Sequence, residues 1–459
     1  MALVYAPTSV FVRPVSAVIV RSQPGRLRQV SQTIAQRELT RGLSLGPLGL
    51  VKPWLGAALS AARQIPAFDM HAAVLDAISI TQLAQDPDVA AIYEDRLVGI
   101  SQFPPAPQQG TYTLGIPTQT GRYVAKLNFT STEWVRSLVG ADRANAAGFD
   151  GSGVLACVVD TGGKRHPQTL RARAQSVIPG NYVDFIGHGQ WCLSALGGTR
   201  YYDSTFSAAV GTPVYCEGMA PGAALLAVKA LDFVTGSAPT SMLLLGLQAA
   251  LASKADVVSL SWGGPAQTST PEGDPFYPAI EALDAAGAIV CAAAGNAGPG
   301  YGTLDSPGAL PQPVTVGAYN AVANDFNPMF GAAGEAAAFS SRGPPPWGGV
   351  KPDCVAPGAI IDSGVSPVSE MAVSYTYRPH GAQAIAGTSM ATPIVAGLCA
   401  LMRQAHAKLL GRVLTNAEVK AMLAATAESQ NDTGGWGAIG WDRYVQYMST
   451  QYGVAVPGG

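Results

Sequence analysis

The sequence predicts an α/β protein built around a mostly parallel central sheet with helices on both faces, preceded by a small α+β unit. Three observations carry this. From residue 134 onward, continuous Val, Ile, Leu and Ala runs alternate with helical segments, the pattern of strands buried on both faces. Residues 1–98 follow another order, strand, helix, strand, helix, strand. Between the two, residues 99–133 are rich in Pro, Gly, Gln and Thr and lack apolar periodicity, so they read as an exposed linker open to proteolysis.

In the first unit, VSAVIVRS (15–22) reads as a strand, RLRQVSQTIAQREL (26–39) as an amphipathic helix and HAAVLDAI (71–78) as a second strand. SITQLAQDPD (79–88) reads as a short helix and VAAIYEDRLV (89–98) as a last strand. In the unit spanning 134–459 the apolar runs are 153–160, 224–231, 241–253, 255–262, 278–287, 288–295 and 313–319. Several end in a polar residue beside glycine: Asp160 before Thr161 and Gly162, Ser261 before Trp262 and Gly263, and Gly295 before Asn296. In open parallel sheets the chemistry sits at these carboxyl ends.

Composition narrows the classes. The 459 residues are 48% hydrophobic and 13% charged, which excludes a disordered chain and a coiled coil. A net charge of −2 supplies no basic field for nucleic acid or an anionic membrane, and neither partner is expected. The longest uncharged stretches, such as 379–402, are broken by Gly, Pro, Ser and Thr and read as core instead of a span. The N-terminus has no cation ahead of its apolar part, and Arg13 and Pro14 cut that part short, so no secretory signal is read there.

Six cysteines are scattered without CxxC or zinc-type Cys/His spacing, and no metal site is expected. Cys157, Cys291, Cys354 and Cys399 fall in apolar runs and read as buried free thiols. Cys192 and Cys216 flank an insertion and are the one pair considered for a disulfide.

Three residues of catalytic type lie at turns. Asp160 ends a strand before a Thr-Gly-Gly turn. His188 stands between Gly187 and Gly189, and Ser389 follows Gly387 and Thr388 at the start of an apolar helix with Pro393 expected in its first turn. A serine there gains from nearby N–H groups and the helix dipole, which stabilise an oxyanion. Singly, they read more readily as a turn aspartate, a buried histidine and an N-cap. Together they supply a nucleophile, its base and the carboxylate that orients the base. Of the other imidazoles, His71 and His406 are expected in structural roles, His166 lacks flanking glycines, and His380 is a loop residue upstream of the serine turn.

From residue 134 onward the chain resembles the subtilases, the subtilisin-like serine proteases. VVDTG (158–162), GHG (187–189) and GTSMATPIVAG (387–397) are similar to the aspartate, histidine and serine motifs of that family, in its order. AAAGNAGP (292–299), SLSWGG (259–264), FSSRGP (339–344) and KPDCVAPG (351–358) are further family-like segments. The resemblance implies a three-layer sandwich and a serine endopeptidase working through an acyl-enzyme. Asp160, His188 and Ser389 would form its triad, and Asn296 would donate to the oxyanion beside the Ser389 N–H. Residues Ser261, Trp262 and Gly263 would bind an extended peptide by its backbone, and Ala293, Ala294 and Gly295 would wall the primary specificity pocket. Asp305, next to Ser306, Pro307 and Gly308, would lie near the pocket floor and favour Lys or Arg before the cut bond; a plain turn aspartate is the other reading.

Residues 71–98 resemble a subtilase propeptide, which implies a self-processing proenzyme whose tail inhibits the cleft and is cut somewhere between Glu94 and Trp134. The chain departs from the family at Gln190 and Trp191, where Thr and a small residue are usual. Those two residues support an alternative, a catalytically silent scaffold that binds peptides. Cys192 matches a cysteine that proteinase K-like members carry under the active site, which implies sensitivity to thiol reagents. No cofactor is required; the insertion at 199–218 occupies the family's tight calcium loop, so structural calcium is possible but not assignable. The expected partners are a protein or peptide substrate and the chain's own propeptide, with the enzyme a monomer. The propeptide implies an extracellular enzyme, whereas unpaired cysteines and the missing signal favour a cytoplasmic one.

Overall fold

The computed structural model describes residues 3–5, 16–37, 64–100, 130–321, 334–365 and 382–459, apart from short breaks at 179, 205–206, 209–210, 212, 233–235, 360 and 428–429. His380 lies outside the described residues.

The first unit is a five-stranded sheet in the order Leu3–Tyr5, Val89–Glu94, Ser16–Ser22, Met70–Leu75, Gln64–Ile65. All pairs are antiparallel except the first. Side chains of a strand alternate between faces. Accordingly Val18, Val20, Ala73 and Ile92 pack against Val30 and Ile34 of the Leu27–Arg37 helix and Ile80 and Leu83 of the Ala77–Leu83 helix. Asp76 caps the second of these helices, accepting from Ser79 N at 2.7 Å. Ile19, Met70, Ala91 and Tyr93 point the other way and join one buried cluster with Leu243, Leu244, Leu247 and Ile280 of the larger unit. Cover on both faces is why AVIV (17–20) is apolar without alternation.

The larger unit is organised by seven parallel strands. Their order is Cys354–Pro357, Val314–Tyr319, Ile289–Ala293, Val257–Leu260, Leu155–Asp160, Ala224–Lys229, Arg173–Ser176. Alternate residues feed two layers of helices. Ala156 and Val158 share a core with the His188–Gly197 and Thr388–Leu410 helices. Cys157 and Val159 share the other with the Thr240–Ala252 and Tyr277–Ala285 helices. This is the expected α/β sandwich of three layers.

Among the boundaries that differ from the sequence reading, two bear on how the units meet. The strand expected over 89–98 is two strands, Val89–Glu94 in the first sheet and Leu97–Ile100 in another. Asp95 and Arg96 separate them, and both are engaged by the larger unit. Asp95 accepts from Ser241 N at 2.9 Å and Ser241 Oγ at 2.7 Å, and Arg96 O accepts from Thr240 N at 2.9 Å. They cap a helix whose own N-cap is Pro239, which makes no side-chain cap. The second difference is that paired structure reaches Ile100 and resumes at Thr130, inside the segment read as linker; residues 101–129 lie outside the described ones.

Candidate active site

Asp160 ends the Leu155–Asp160 strand, which lies between Val257–Leu260 and Ala224–Lys229 where the strand order reverses. That reversal opens a crevice at the carboxyl ends. Asp160 Oδ1 accepts from Thr161 N at 2.7 Å and lies 2.8 Å from His188 Nδ1, with both side chains buried. His188 opens its helix after Gly187, whose φ of 103° is left-handed. Gly189 allows the close approach: a Cβ there would meet Gly162 O at 2.5 Å and the Asp160 Cβ at 3.0 Å. A carboxylate on Nδ1 fixes the tautomer and leaves Nε2 as the basic nitrogen. Burial works against charge on the His188 ring, but the Asp160 carboxylate outweighs it, and the pKa stands well above the usual histidine value.

Asp184 is buried and aligns this helix, a role the sequence reading missed. Its Oδ1 accepts from Gly187 N at 2.7 Å and Ile186 N at 3.1 Å, and its Oδ2 from Gln190 N at 2.8 Å. An aspartate shortly before a helix start is the legible signal of such a cap. Burial pushes its carboxyl upward, and the charge on Asp160 adds to that.

Ser389 is the second residue of the Thr388–Leu410 helix. Its Oγ donates to Ser261 O at 2.9 Å, and its carbonyl accepts from Ser261 Oγ at 2.9 Å. Cys192 links the two halves of the site: its Sγ is 3.9 Å from His188 Nδ1 and 3.6 Å from Ser389 O. Burial raises the thiol's pKa, which keeps it protonated beside the imidazole. Cys192 therefore lies beneath the site as expected, and none of the six cysteines is in a disulfide, so the pair considered for one is not joined. Cys216 instead meets Asp362 Oδ2 at 3.5 Å.

Asn296 follows Gly295 at the end of the neighbouring strand. Its Oδ1 accepts from Thr388 N at 2.9 Å and Thr388 Oγ1 at 3.1 Å. A backbone donor must meet the oxygen, so the NH₂ is the other end of the amide. That end reaches Gly387, where an added Cβ would stand 3.2 Å from Nδ2. Thr388 and Ser341 hold this loop and were missed: Ser341 Oγ accepts from Ala297 N at 3.0 Å.

The remaining residues fall around the same crevice. Trp262 is buried, donates from Nε1 to Val159 O at 2.8 Å and, with Gly263, pairs with Ile100 and Gly99. Ala293, Ala294 and Gly295 are buried. Asp305 lies between two glycines: a Cβ on Gly295 would meet its Oδ2 at 2.7 Å, and one on Gly263 its Cβ at 2.7 Å. Gln190 donates to Thr169 Oγ1 at 2.8 Å and Ser194 Oγ at 3.0 Å and accepts from Arg165 N at 3.0 Å, while Trp191 is core. His166 accepts from Gln168 N at 3.3 Å and packs on Tyr201; His71 meets Ser31 Oγ at 2.9 Å in the first unit; and His406 is buried near Glu418 and Tyr452. Among the described residues, the one His/Cys/Asp/Glu group with metal-ligand spacing is Asp160, His188 and Cys192. With one carboxylate it does not fit calcium, which takes six to eight oxygens.

The subtilase family model matches residues 151–441. The chain belongs to the subtilase family, the subtilisin-like serine peptidases. Among relatives of this subtilase, Serine protease AprX of Bacillus subtilis strain 168 is 35% identical over 306 residues, 63% of this chain and 64% of AprX. The chain thus spans just under two thirds of that relative. Subtilisin E of the same organism is 28% identical over 371 residues, 80% of this chain and 77% of that protein. Subtilisin Savinase of Lederbergia lenta is 31% identical over 310 residues, 67% of this chain and 96% of the relative.

Proposed function

We propose that the chain is a self-processing serine endopeptidase whose triad is Asp160, His188 and Ser389. The buried 2.8 Å contact between His188 Nδ1 and Asp160, with Cys192 touching both His188 and Ser389, carries this reading. Ser389 Oγ adds to the scissile carbonyl as its proton passes to His188 Nε2, which returns it to the leaving nitrogen; water then hydrolyses the ester by the same route. Asn296 Nδ2 and the Ser389 N–H stabilise the oxyanion, and loss of one such donor costs roughly 10²–10³ in turnover.

Residues 261–263 bind substrate backbone, and Ala293, Ala294 and Gly295 wall the pocket for the residue before the cut. Asp305 selects Lys or Arg there. The support is its position between Gly263 and Gly295, where a carboxylate meets an incoming cation away from bulk water. The first unit is the propeptide and inhibits by occupying the same edge: Gly99 and Ile100 pair with Gly263 and Trp262. It also supports export, in which buried cysteines would escape surface oxidation. The silent scaffold is not preferred, because Gln190 and Trp191 are accounted for by local hydrogen bonds and packing. The test is casein hydrolysis by wild type and Ser389→Ala after removal of the first unit. Loss of activity by the variant alone supports the reading, and an inert wild type would sink it.

A further inference from the structure

Lys351 is buried just ahead of the Cys354–Pro357 strand. Its ammonium carries three hydrogens and meets three acceptors: Pro313 O at 2.9 Å, Thr315 Oγ1 at 2.7 Å and Asp353 Oδ2 at 2.7 Å. An ammonium satisfied in this way is held in one place, because a shift would leave a charge-assisted bond unmade. Thr315 is fully buried on the Val314–Tyr319 strand. Its N–H donates to Asp353 Oδ2 at 2.7 Å, and its carbonyl accepts from Asp353 N at 2.9 Å, so lysine, threonine and aspartate form one closed unit.

A hydroxyl has one hydrogen to give. Lys351 occupies a lone pair of Thr315 Oγ1, and the hydroxyl hydrogen goes to Gly308 O at 2.5 Å. That relay ends on the turn that follows Asp305. Gly308 has no room for a side chain: a Cβ there would collide with Ala293 O and stand 3.1 Å from Asp305 O. Ala309 N donates to Asp305 O at 2.8 Å, and Asp305 N donates to Ala294 O at 2.8 Å, which knits this turn to the strand end at Ala293 and Ala294. Thr315 therefore fixes a peptide that touches both wall and base of the proposed pocket. Between that turn and the strand, the carbonyls of Pro311 and Gln312 are tied down by Lys420 and Asn416 of the Asn416–Ala425 helix.

We propose, resting on the peptidase reading above, that Lys351 and Thr315 are positioning residues that set the depth of the primary specificity pocket. Neither touches substrate. Lys351 aims the Thr315 hydroxyl, the hydroxyl holds Gly308 O toward the sheet, and the base stays clear for a long side chain before the cut. Without that bond Gly308 O is a buried acceptor with no donor, and the turn shifts to find one. A long residue then loses room, whereas alanine, which does not reach the base, binds as before.

The experiment measures kcat and KM on peptides that differ only in the residue before the cut, Ala against Phe and Lys, with the chain freed of its first unit as in the casein assay. Thr315→Val, which removes the hydroxyl and keeps the shape, is expected to raise the Phe-to-Ala and Lys-to-Ala ratios of KM at least fivefold, the change lying in KM and not in kcat. Thr315→Ser restores the hydroxyl and is expected to restore both ratios. Lys351→Met removes the first step of the relay and is expected to repeat the Thr315→Val pattern; it leaves Lys420 3.7 Å from Asp353 as a countercharge, so it carries the test if Thr315→Val does not fold. A purely structural role would lower the melting temperature or the active fraction and shift all three peptides alike. Wild-type KM ratios in an active Thr315→Val or Lys351→Met enzyme, or no rescue by Thr315→Ser, overturn the proposal and spare the peptidase reading. A wild type inert on all three peptides and on casein overturns both.

Discussion

Ser261 and Ser389 exchange two hydrogen bonds of 2.9 Å, each hydroxyl donating to the other's carbonyl. The reason lies four residues on. Pro393 is the sixth residue of the helix, not in its first turn as expected, and has no N–H to give Ser389 O. The Ser261 hydroxyl and the Cys192 thiol take that place. Replacing Ser261 by Ala is expected to cost about 1 kcal/mol of stability. It should also lower kcat several-fold with KM little changed, since it loosens the serine turn and leaves the substrate-binding backbone. Melting curves and steady-state kinetics read both.

If His188 is the base proposed above, the acid limb of activity is expected to report it. A base must be neutral, so the rate rises with pH through the His188 pKa, which Asp160 holds well above the usual value. Asp160→Asn should move that limb to lower pH and reduce kcat by on the order of 10⁴. A pH profile of kcat/KM for both proteins checks the direction.

Asp305 sets the third expectation. Lys or Arg before the cut should be favoured over Leu by at least tenfold, and Asp305→Ser should abolish the preference without loss of kcat on Leu substrates. Matched peptide series decide it, and equal rates in the wild type would end the assignment.

Docking of the first unit should weaken as pH rises. Burial raises the Asp95 carboxyl from 3.8 to about 6, against the opposing hydrogen bonds from Ser241. A group whose pKa is raised on docking contributes fully below its free value, and that contribution is lost as pH passes the docked value. Dissociation of the severed unit is therefore expected to accelerate between pH 4 and about 6, and Asp95→Asn to flatten the change.

Cys192 is buried yet touches His188 and Ser389. Mercuric ion should inhibit the wild type and spare Cys192→Ser, while bulky alkylating reagents, which need an exposed thiolate, should act slowly on both.

Sequence alone determined much of this protein: the central strands, the helices starting at His188 and near Ser389, and the candidate residues that the fold gathers at one crevice. These features are local, because apolar runs, glycine turns and motif order are written in neighbouring residues. Tertiary structure decided what depends on partners far along the chain. Asp95 and Arg96 interrupt an apparently continuous strand because a helix at residue 240 lacks its own cap. Asp184, Thr388 and Ser341 look like ordinary turn residues until the backbone N–H groups they satisfy are known. Gln190 looks anomalous until Thr169, Ser194 and Arg165 surround it. The register of Leu97–Ile100 is set by a glycine-sized gap at Ser237 and an apolar pocket for Val98, which exist only once two distant edges are brought together.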